Sequence, residues 1–283
     1  MGVDTALIPV VRTTARQTAR GRLPMLCAGA LLLLLALVLV APGLFTGRDP
    51  DATDVTRTFQ APGMAHLLGT DQLGRDVFAR LVHGTRISVA VAAAATVIGV
   101  GGGALLGLLA AAGGARVDAL LMRVVDVLMA FPEILLALLV VAVLGGGTLN
   151  VALAIGLAGI PSYARLVRGQ ARLVLGSEYV EAARALGVPP WRYLLRHVLP
   201  NVGGSIVVLA SIGSGSAIAA GAGLSLLGLG PRPPQADWGS MVADGKDFLQ
   251  TAWWISVAPG LVISAVVVAV TLVGRTLQSS AVR

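Results

Sequence analysis

Long apolar runs recur along the chain and are separated by polar segments. The runs lie near residues 25–45, 87–112, 120–145, 148–168, 200–222 and 254–275. A helix needs roughly 20 apolar residues to cross about 30 Å of hydrocarbon, and several of these runs reach that length. The pattern therefore predicts an all-α, polytopic membrane protein of about six transmembrane helices.

The first run has two interpretations. A leucine-rich stretch over 25–40 follows a basic arm, which is also how a secretory signal begins. A protein that remains in the membrane through five more spans needs no cleavage, so a retained span is the favoured interpretation. The arm contains Arg12, Arg16, Arg20 and Arg22.

Composition supports a membrane protein, because 56% of the residues are hydrophobic and only 12% are charged. The formal net charge of +7 does not indicate a nucleic-acid binder, since the arginines are spread between apolar runs and form no single basic face. Cys27 is the only cysteine, which excludes an intrachain disulfide and a thiolate metal site. We expect contact with membrane lipid and none with nucleic acid.

The distribution of arginine predicts the orientation. An even number of spans places both termini on one side, and the connections on that side carry most of the positive charge. The positive-inside rule then makes this side the cytoplasm. The inside arginines are Arg12, Arg16, Arg20, Arg22, Arg116, Arg165, Arg168, Arg172, Arg184, Arg192, Arg196, Arg275 and Arg283.

The spans divide the chain into an N-terminal cytoplasmic arm (1–24), a first transmembrane helix (25–45), an external loop (46–86), a core transmembrane domain (87–275) and a cytoplasmic tail (276–283). We expect the external loop to contain an interfacial helix that begins at Thr70 or Asp71. In the second span a stripe of small residues, Gly99, Gly103 and Gly107, predicts close helix packing, either within the chain or at a dimer seam.

The connection 172–201 predicts two short helices joined by a turn. Residues 178–186 are rich in helix formers, and Gly187 suits a helix end in the left-handed region. Pro189 or Pro190 can open the next helix, because amide groups of a first turn lack helical partners. The alanines keep the first helix slim enough to enter a groove on a partner.

Glu181, Ala182 and Ala183, followed by Gly187 and then by Leu199–Pro200, resemble the EAA loop of ABC importer permeases. The run RHVLPN is similar to the dipeptide, oligopeptide and nickel branch. The resemblance implies a type I ABC importer permease fold, in which this loop docks as a coupling helix on a cytoplasmic ATPase; a helix pair resting on lipid headgroups is the alternative. The coupling residues that it implies are Glu178, Glu181, Ala182, Ala183, Arg184, Ala185, Gly187, Arg192, Leu199 and Pro200.

Two further stretches resemble the C-type subunit of that branch: HLLGTDQLGRDVFARLVHGTRIS over 66–88, and GLSLLGLG over 223–230 followed by Pro234 and Trp238. The chain departs from the family at 219–223, where small residues replace a frequent glutamate. It also departs at 274–276, where Gly-Arg-Thr replaces the more usual Gly-Asp-Gly.

The resemblance implies four kinds of partner: a homologous second permease subunit, two cytoplasmic ATPases, an external solute-binding protein and lipid. Lys246, the only lysine, lies in ADGKDF and lacks the context of a phosphate-binding loop, so ATP and Mg²⁺ are expected on the ATPases. We expect a transport subunit with no catalytic residue, cofactor or metal of its own.

The substrate is left open by the sequence. Di- or oligopeptides are the main hypothesis, and nickel, a metal chelate or a glutathione-like solute are alternatives. A stand-alone secondary transporter would need inverted repeats and carboxylates near the midplane, and neither is clear in the sequence.

Few polar residues lie at membrane depth. Three serines in the fifth span suit an intramembrane protease only if a histidine joins them, and His66, His83 and His197 lie outside the spans. Arg123 precedes Asp126 by three residues, which predicts an ion pair on one helix face. Glu133 is a candidate contact for a cationic substrate group. The possible pathway residues are Asp126, Glu133, Ser211, Ser214 and Ser216.

Overall fold

The computed structural model describes residues 22–281, with side chains over 24–276. Residues 1–21 and 282–283, which hold most of the basic arm and the end of the tail, lie outside the described residues. The described part is helical and has no β-strand, only an isolated bridge between Thr70 and Asp76. The helices are α1 (Arg22–Val40), α2 (Val77–Ala112), α3 (Gly114–Met129), α4 (Glu133–Leu144), α5 (Thr148–Leu175), α6 (Glu178–Ala185), α7 (Pro190–Tyr193), α8 (Leu199–Leu226), α9 (Trp238–Gly245) and α10 (Trp254–Ala281).

Four helical segments of the described chain are long and apolar enough to cross a membrane: α2, α5, the continuous stretch Pro190–Leu226 and α10. α1 is apolar but shorter, and the bent pair of α3 and α4 raises the number to five if it is one span. The all-α, polytopic fold is thus confirmed. The expected number of six spans is not reached by helix length and composition.

The third predicted span, 120–145, is wrong as a single helix. α3 and α4 meet at 90° across the break at Ala130–Pro132. Pro132 has no amide hydrogen and disfavours helical geometry at Phe131, so the chain turns there and a new helix begins at Glu133. The apolar run is continuous in the sequence, but the helix is interrupted.

The second span begins ten residues earlier than predicted, which also corrects the external loop. No separate helix starts at Thr70 or Asp71; Gly74 takes a φ of +73° in a turn, and Asp76 then caps α2. The Asp76 carboxylate accepts a hydrogen bond from the Ala79 amide at 2.8 Å. Residues 77–86, predicted to lie along the membrane surface, are therefore the first turns of α2.

The glycine stripe of α2 packs inside the chain against α5. A Cβ on Gly107 would lie 2.6 Å from the Ala164 carbonyl oxygen, and one on Gly99 would lie 3.2 Å from that of Gly156. Such contacts leave no room for a side chain, so the stripe lets the two helices approach closely. The intrachain interpretation of the stripe is confirmed.

The main hydrophobic core joins α2, α4, α5, α8 and α10. Two smaller clusters lie around Trp254 and around Tyr193. The first packs on Val77, at the start of α2, and the second packs on Ala111, near its end. Since α2 has 36 residues and rises by 1.5 Å per residue, these two ends of the bundle lie about 50 Å apart.

Candidate functional site

The segment 176–198, which we call the elbow, has the predicted local structure. α6 ends where Gly187 adopts a φ of +74°, and the Val188 amide donates to the Ala183 carbonyl at 3.0 Å. Pro190 then occupies the first turn of α7. A π-helical turn, Leu194–Val198, carries the chain into α8 without a break, which the sequence did not predict.

The inner face of the elbow is fixed by a hydrophobic cluster. Val180 of α6 and Val198 are fully buried, and Tyr193 of α7 is nearly so. They pack with Val167 and Leu175 of α5. The elbow is thereby joined to the last turns of α5 and the first turns of α8.

The outer face of the elbow is exposed and carries most of the predicted coupling residues. Ala183 is the exception, since it is buried against the rest of the protein. The exposed predicted residues are Glu178, Glu181, Ala182, Arg184, Ala185, Gly187, Arg192, Leu199 and Pro200. The Arg184 guanidinium also lies over the Tyr193 ring, 5.2 Å from its centroid, which ties α6 to α7.

Sequence reasoning missed two large apolar side chains on this face. Leu186 is 84% exposed and Trp191 is 64% exposed, and they flank the Gly187 turn. A partner surface that covers them would bury substantial apolar area. The available signal was their position at a turn between two charged helices, where an apolar side chain has no local core to enter.

Arginines of α5 bind aspartates of α3 next to the elbow. Asp118 is buried and pairs with Arg168 through two contacts and with Arg172 at 2.6 Å. Asp126 pairs with Arg165 of α5. The predicted pair of Arg123 with Asp126 is wrong, because the partner comes from a neighbouring helix that helical spacing alone does not reveal.

Two of the predicted pathway residues meet in one cavity. Glu133 and Ser216 line a space of about 200 Å³, together with Thr96, Gly159 and Tyr163. It lies near the middle of α2, α5 and α8.

The other two predicted serines, Ser211 and Ser214, do not line that cavity, and their hydroxyl groups form hydrogen bonds within α8. Ser211 donates to the Val207 carbonyl at 2.9 Å, and Ser214 donates to the Ser211 carbonyl at 2.8 Å, both within α8. Hydrogen bonds of this kind satisfy a hydroxyl group within its own helix. Asp126 is likewise held in its ion pair with Arg165.

The three histidines form other contacts. His66 lies 2.8 Å from Asp76, His83 contacts the Ala79 carbonyl at 3.0 Å, and His197 packs edge-on to Tyr179. Within the described residues, none forms a hydrogen bond with a serine of α8. In the part of the chain that the structure describes, the predicted serines of α8 are therefore not paired with a histidine.

The two stretches that resemble the C-type subunit meet at the opposite end from the elbow. Trp238 is buried; its indole donates to the Leu81 carbonyl at 3.1 Å and its amide to the Ser88 hydroxyl at 3.0 Å. A Cβ on Gly239 would lie 2.6 Å from Cα of Ala222. α9 therefore approaches α8 closely at Ala222, one of the small residues of the run 219–223.

Buried charges hold this end together. Asp76 accepts from Arg48 at 2.9 Å, and Asp71 accepts from Arg75 at 2.6 Å. Asp244 of α9 faces Arg75 with its side chain 43% exposed. Partial desolvation raises the pKa of its carboxyl above the ordinary 3.8, although the nearby arginines partly oppose this. Among the described residues, no group of three or more potential ligands is arranged for a metal ion.

Comparison with known proteins gives a consistent result. Residues 103–282 match the family described as binding-protein-dependent transport system inner membrane component. A Brucella suis protein assigned as a peptide transport system permease is 41% identical over 275 residues, covering 97% of this chain and 92% of that one.

Two further relatives have different transport assignments. A glutathione transport system permease of Pectobacterium atrosepticum is 41% identical over 249 residues (88% of this chain, 83% of that one). A di/tripeptide transport system permease of Pseudomonas aeruginosa is 41% identical over 214 residues (76% and 71%). A stand-alone secondary transporter has no support in these similarities. The chain belongs to the family of binding-protein-dependent transport system inner membrane components, the ABC importer permeases that its motifs resemble.

Proposed function

We propose that the chain forms half of the translocation pathway of an ATP-driven importer of di- and oligopeptides. Two of the relatives are assigned to peptide transport, and the third carries glutathione, which is itself a short peptide. In this proposal a homologous permease provides the other half of the pathway. An external binding protein delivers the peptide, and two cytoplasmic ATPases bind ATP and Mg²⁺.

The elbow is the surface on which an ATPase acts. The observation that carries this proposal is its two-sided construction, with an inner face fixed in a hydrophobic cluster and an outer face that leaves Leu186 and Trp191 uncovered. A helix with small residues between polar flanks suits a groove on a partner. On this proposal the elbow and both termini face the cytoplasm.

Movement of the elbow reaches the pathway through rigid connections. α6 follows α5 after a short turn, and the π-helical turn joins α7 directly to α8. The Asp118 contacts with Arg168 and Arg172 extend the same rigid unit to α3. When the ATPases close on ATP, they displace the elbow, and α3, α5 and α8 rock together between inward-open and outward-open states.

Substitutions at Gly187 test the lever. Proline cannot adopt the φ of +74° found there, whereas asparagine tolerates this region. We expect Gly187→Pro to insert in the membrane but to lose peptide-stimulated ATP hydrolysis in the reconstituted importer. Gly187→Asn is the matched control and should retain it. Full stimulation in Gly187→Pro would refute the lever.

Substitutions of Glu181 test the exposed face of the elbow independently of the Gly187 variants. Glu181→Arg reverses a charge without touching the buried cluster, since Glu181 is exposed. We expect stimulated hydrolysis to fall at least about tenfold, because a like-charge contact in an interface costs several kcal/mol. Glu181→Gln keeps the shape of the side chain and should lose much less. Equal activity of all three proteins would show that this face is not the docking surface.

A further inference from the structure

The cavity lined by Glu133 and Ser216 has an acidic side chain in its wall and no basic one. Glu133 is the only ionisable acid or base among the side chains that line it, apart from the phenol of Tyr163. Hydroxyl groups of Thr96, Ser162 and Ser216 complete its polar surface. A second cavity of about 180 Å³ shares Glu133 and Ser216 with it. A space with a carboxylate, several hydroxyls and no basic side chain favours a cation over an anion.

The carboxylate of Glu133 lies in the first turn of α4 and is exposed. It forms no hydrogen bond or ion pair with another described residue, whereas Asp118 and Asp126 are both paired with arginines of α5. The break before α4 places Glu133 beside α5, where a Cβ on Gly159 would lie 3.4 Å from its Oε1. An unpaired carboxylate in the bilayer is costly, so its presence indicates a binding function.

The aromatic ring of the cavity is held in place by glycines. A Cβ on Gly99 would lie 3.1 Å from the Tyr163 ring, and one on Gly213 would overlap the Tyr163 hydroxyl. The ring therefore fills the space that these glycines leave between α2 and α8. Its fixed position beside Glu133 adds a π surface that attracts ammonium groups.

We propose that Glu133, Tyr163 and Ser216 form a binding site for the primary ammonium group of the transported solute. This inference rests on the proposed peptide transport. Every unmodified peptide carries an α-ammonium group at its N-terminus whatever its side chains, so one carboxylate serves a mixed set of peptides. The same site accepts the α-ammonium of glutathione.

Charge-selective labelling tests the site without relying on transport. Cys27 is the only native cysteine, so Ser162→Cys in a Cys27→Ser background supplies one thiol in the cavity while leaving the three proposed site residues in place. The complex is purified without the binding protein, and modification of this chain by cationic and anionic methanethiosulfonates is timed. We expect the ratio of the cationic to the anionic labelling rate to be about tenfold higher with Glu133 than in Glu133→Gln, because an adjacent carboxylate attracts the cationic reagent.

Glu133→Asp is the matched control, since it keeps the charge and should keep the preference. An Ala-Ala dipeptide should slow labelling, whereas its N-acetylated form should not. An unchanged preference in Glu133→Gln, or equal protection by both dipeptides, would overturn the ammonium site while leaving the importer assignment intact. The importer assignment fails separately if the wild-type complex neither transports peptide nor stimulates ATP hydrolysis.

Discussion

Asp118 and Asp126 are two acids of one helix that both bind arginines of α5, but they differ in exposure. The Asp118 side chain is 10% exposed and contacts two arginines, whereas that of Asp126 is 61% exposed and contacts one. Solvent screens the second pair and leaves the first largely intact. The first pair is therefore the one that fixes α3 to α5.

Neutralising each acid measures this difference. Asp118→Asn removes a buried charged acceptor from two partly exposed guanidinium groups and should cost about 2 kcal/mol of stability. Asp126→Asn should cost less than about 1 kcal/mol, as exposed pairs do. Thermal unfolding of the purified complex checks the comparison. Equal shifts in the two variants would contradict it.

Asp244 gives the opposite end of the molecule a pH dependence. Partial desolvation of this 43% exposed side chain raises the pKa of its carboxyl above 3.8, so the folded protein binds this proton more tightly than the unfolded chain does. The resulting stabilisation is present below pH 3.8 and is lost as pH rises through the folded pKa.

The Asp244→Asn variant has no carboxyl group to titrate at this position, so this residue gives its stability no pH dependence. We expect the wild type to become less stable relative to Asp244→Asn as pH is raised from the acid range to neutrality. Melting temperatures of both proteins across this range give the measurement, and exposed Asp247→Asn is the control. A gap between wild type and Asp244→Asn that does not change with pH would refute the account.

Individual residues also show which features the sequence could predict and which it could not. The turn at Gly187 was predictable because a left-handed helix end is a local property. The partner of Asp126 was not, because Arg165 comes to it from α5 through tertiary packing. Leu186 and Trp191 were missed for the same reason, since exposure at a turn depends on where the core lies.

At the scale of elements, the approach of α2 to α5 depends on residues without side chains. Gly107→Ala would place a methyl group 2.6 Å from the Ala164 carbonyl oxygen, and overpacking of this kind costs about 1–3 kcal/mol. Gly101 lies on another face of the same helix, where a Cβ meets nothing within 4 Å. Gly101→Ala should be neutral or stabilising, because glycine is a poor helix former.

The two variants share a helix and a substitution, so their difference isolates packing. Melting of the purified complex should show Gly107→Ala below the wild type and Gly101→Ala at or above it. A comparable loss in both variants would indicate that helix propensity, and not the contact with α5, decides the outcome.

The helices also show why hydropathy predicted which of them exist better than it predicted where they begin and end. The runs over 148–168 and 254–275 correspond to α5 and α10, but each helix continues into more polar sequence. In α5 the added turns pack against the elbow, a tertiary contact that composition does not reveal. The break between α3 and α4 leaves the apolar run uninterrupted. Hydropathy carries no directional information, so only Pro132 could have indicated it.

At the scale of the whole molecule, the protein has two structured ends joined by long helices. At one end Trp238 and Trp254 bring the 66–88 segment against α9 and α10. At the other, the elbow closes over α5 and α8. The sequence indicated both ends as separate motifs, but it did not show that 66–88 and 223–238 form one unit, because their contacts span some 150 residues.

This arrangement predicts opposite accessibility of the two ends in a membrane. Leu186 lies on the exposed elbow, whereas Met64 is fully exposed in the segment that packs at the start of α2. In a Cys27→Ser background, Leu186→Cys should react with a membrane-impermeant maleimide only in inside-out vesicles, and Met64→Cys only in intact spheroplasts. The separation of about 50 Å along α2 exceeds the hydrocarbon thickness, so both thiols should lie in water on opposite faces. Labelling of Leu186→Cys from the outside would place the elbow away from any cytoplasmic ATPase, and the proposed coupling would then have no physical basis.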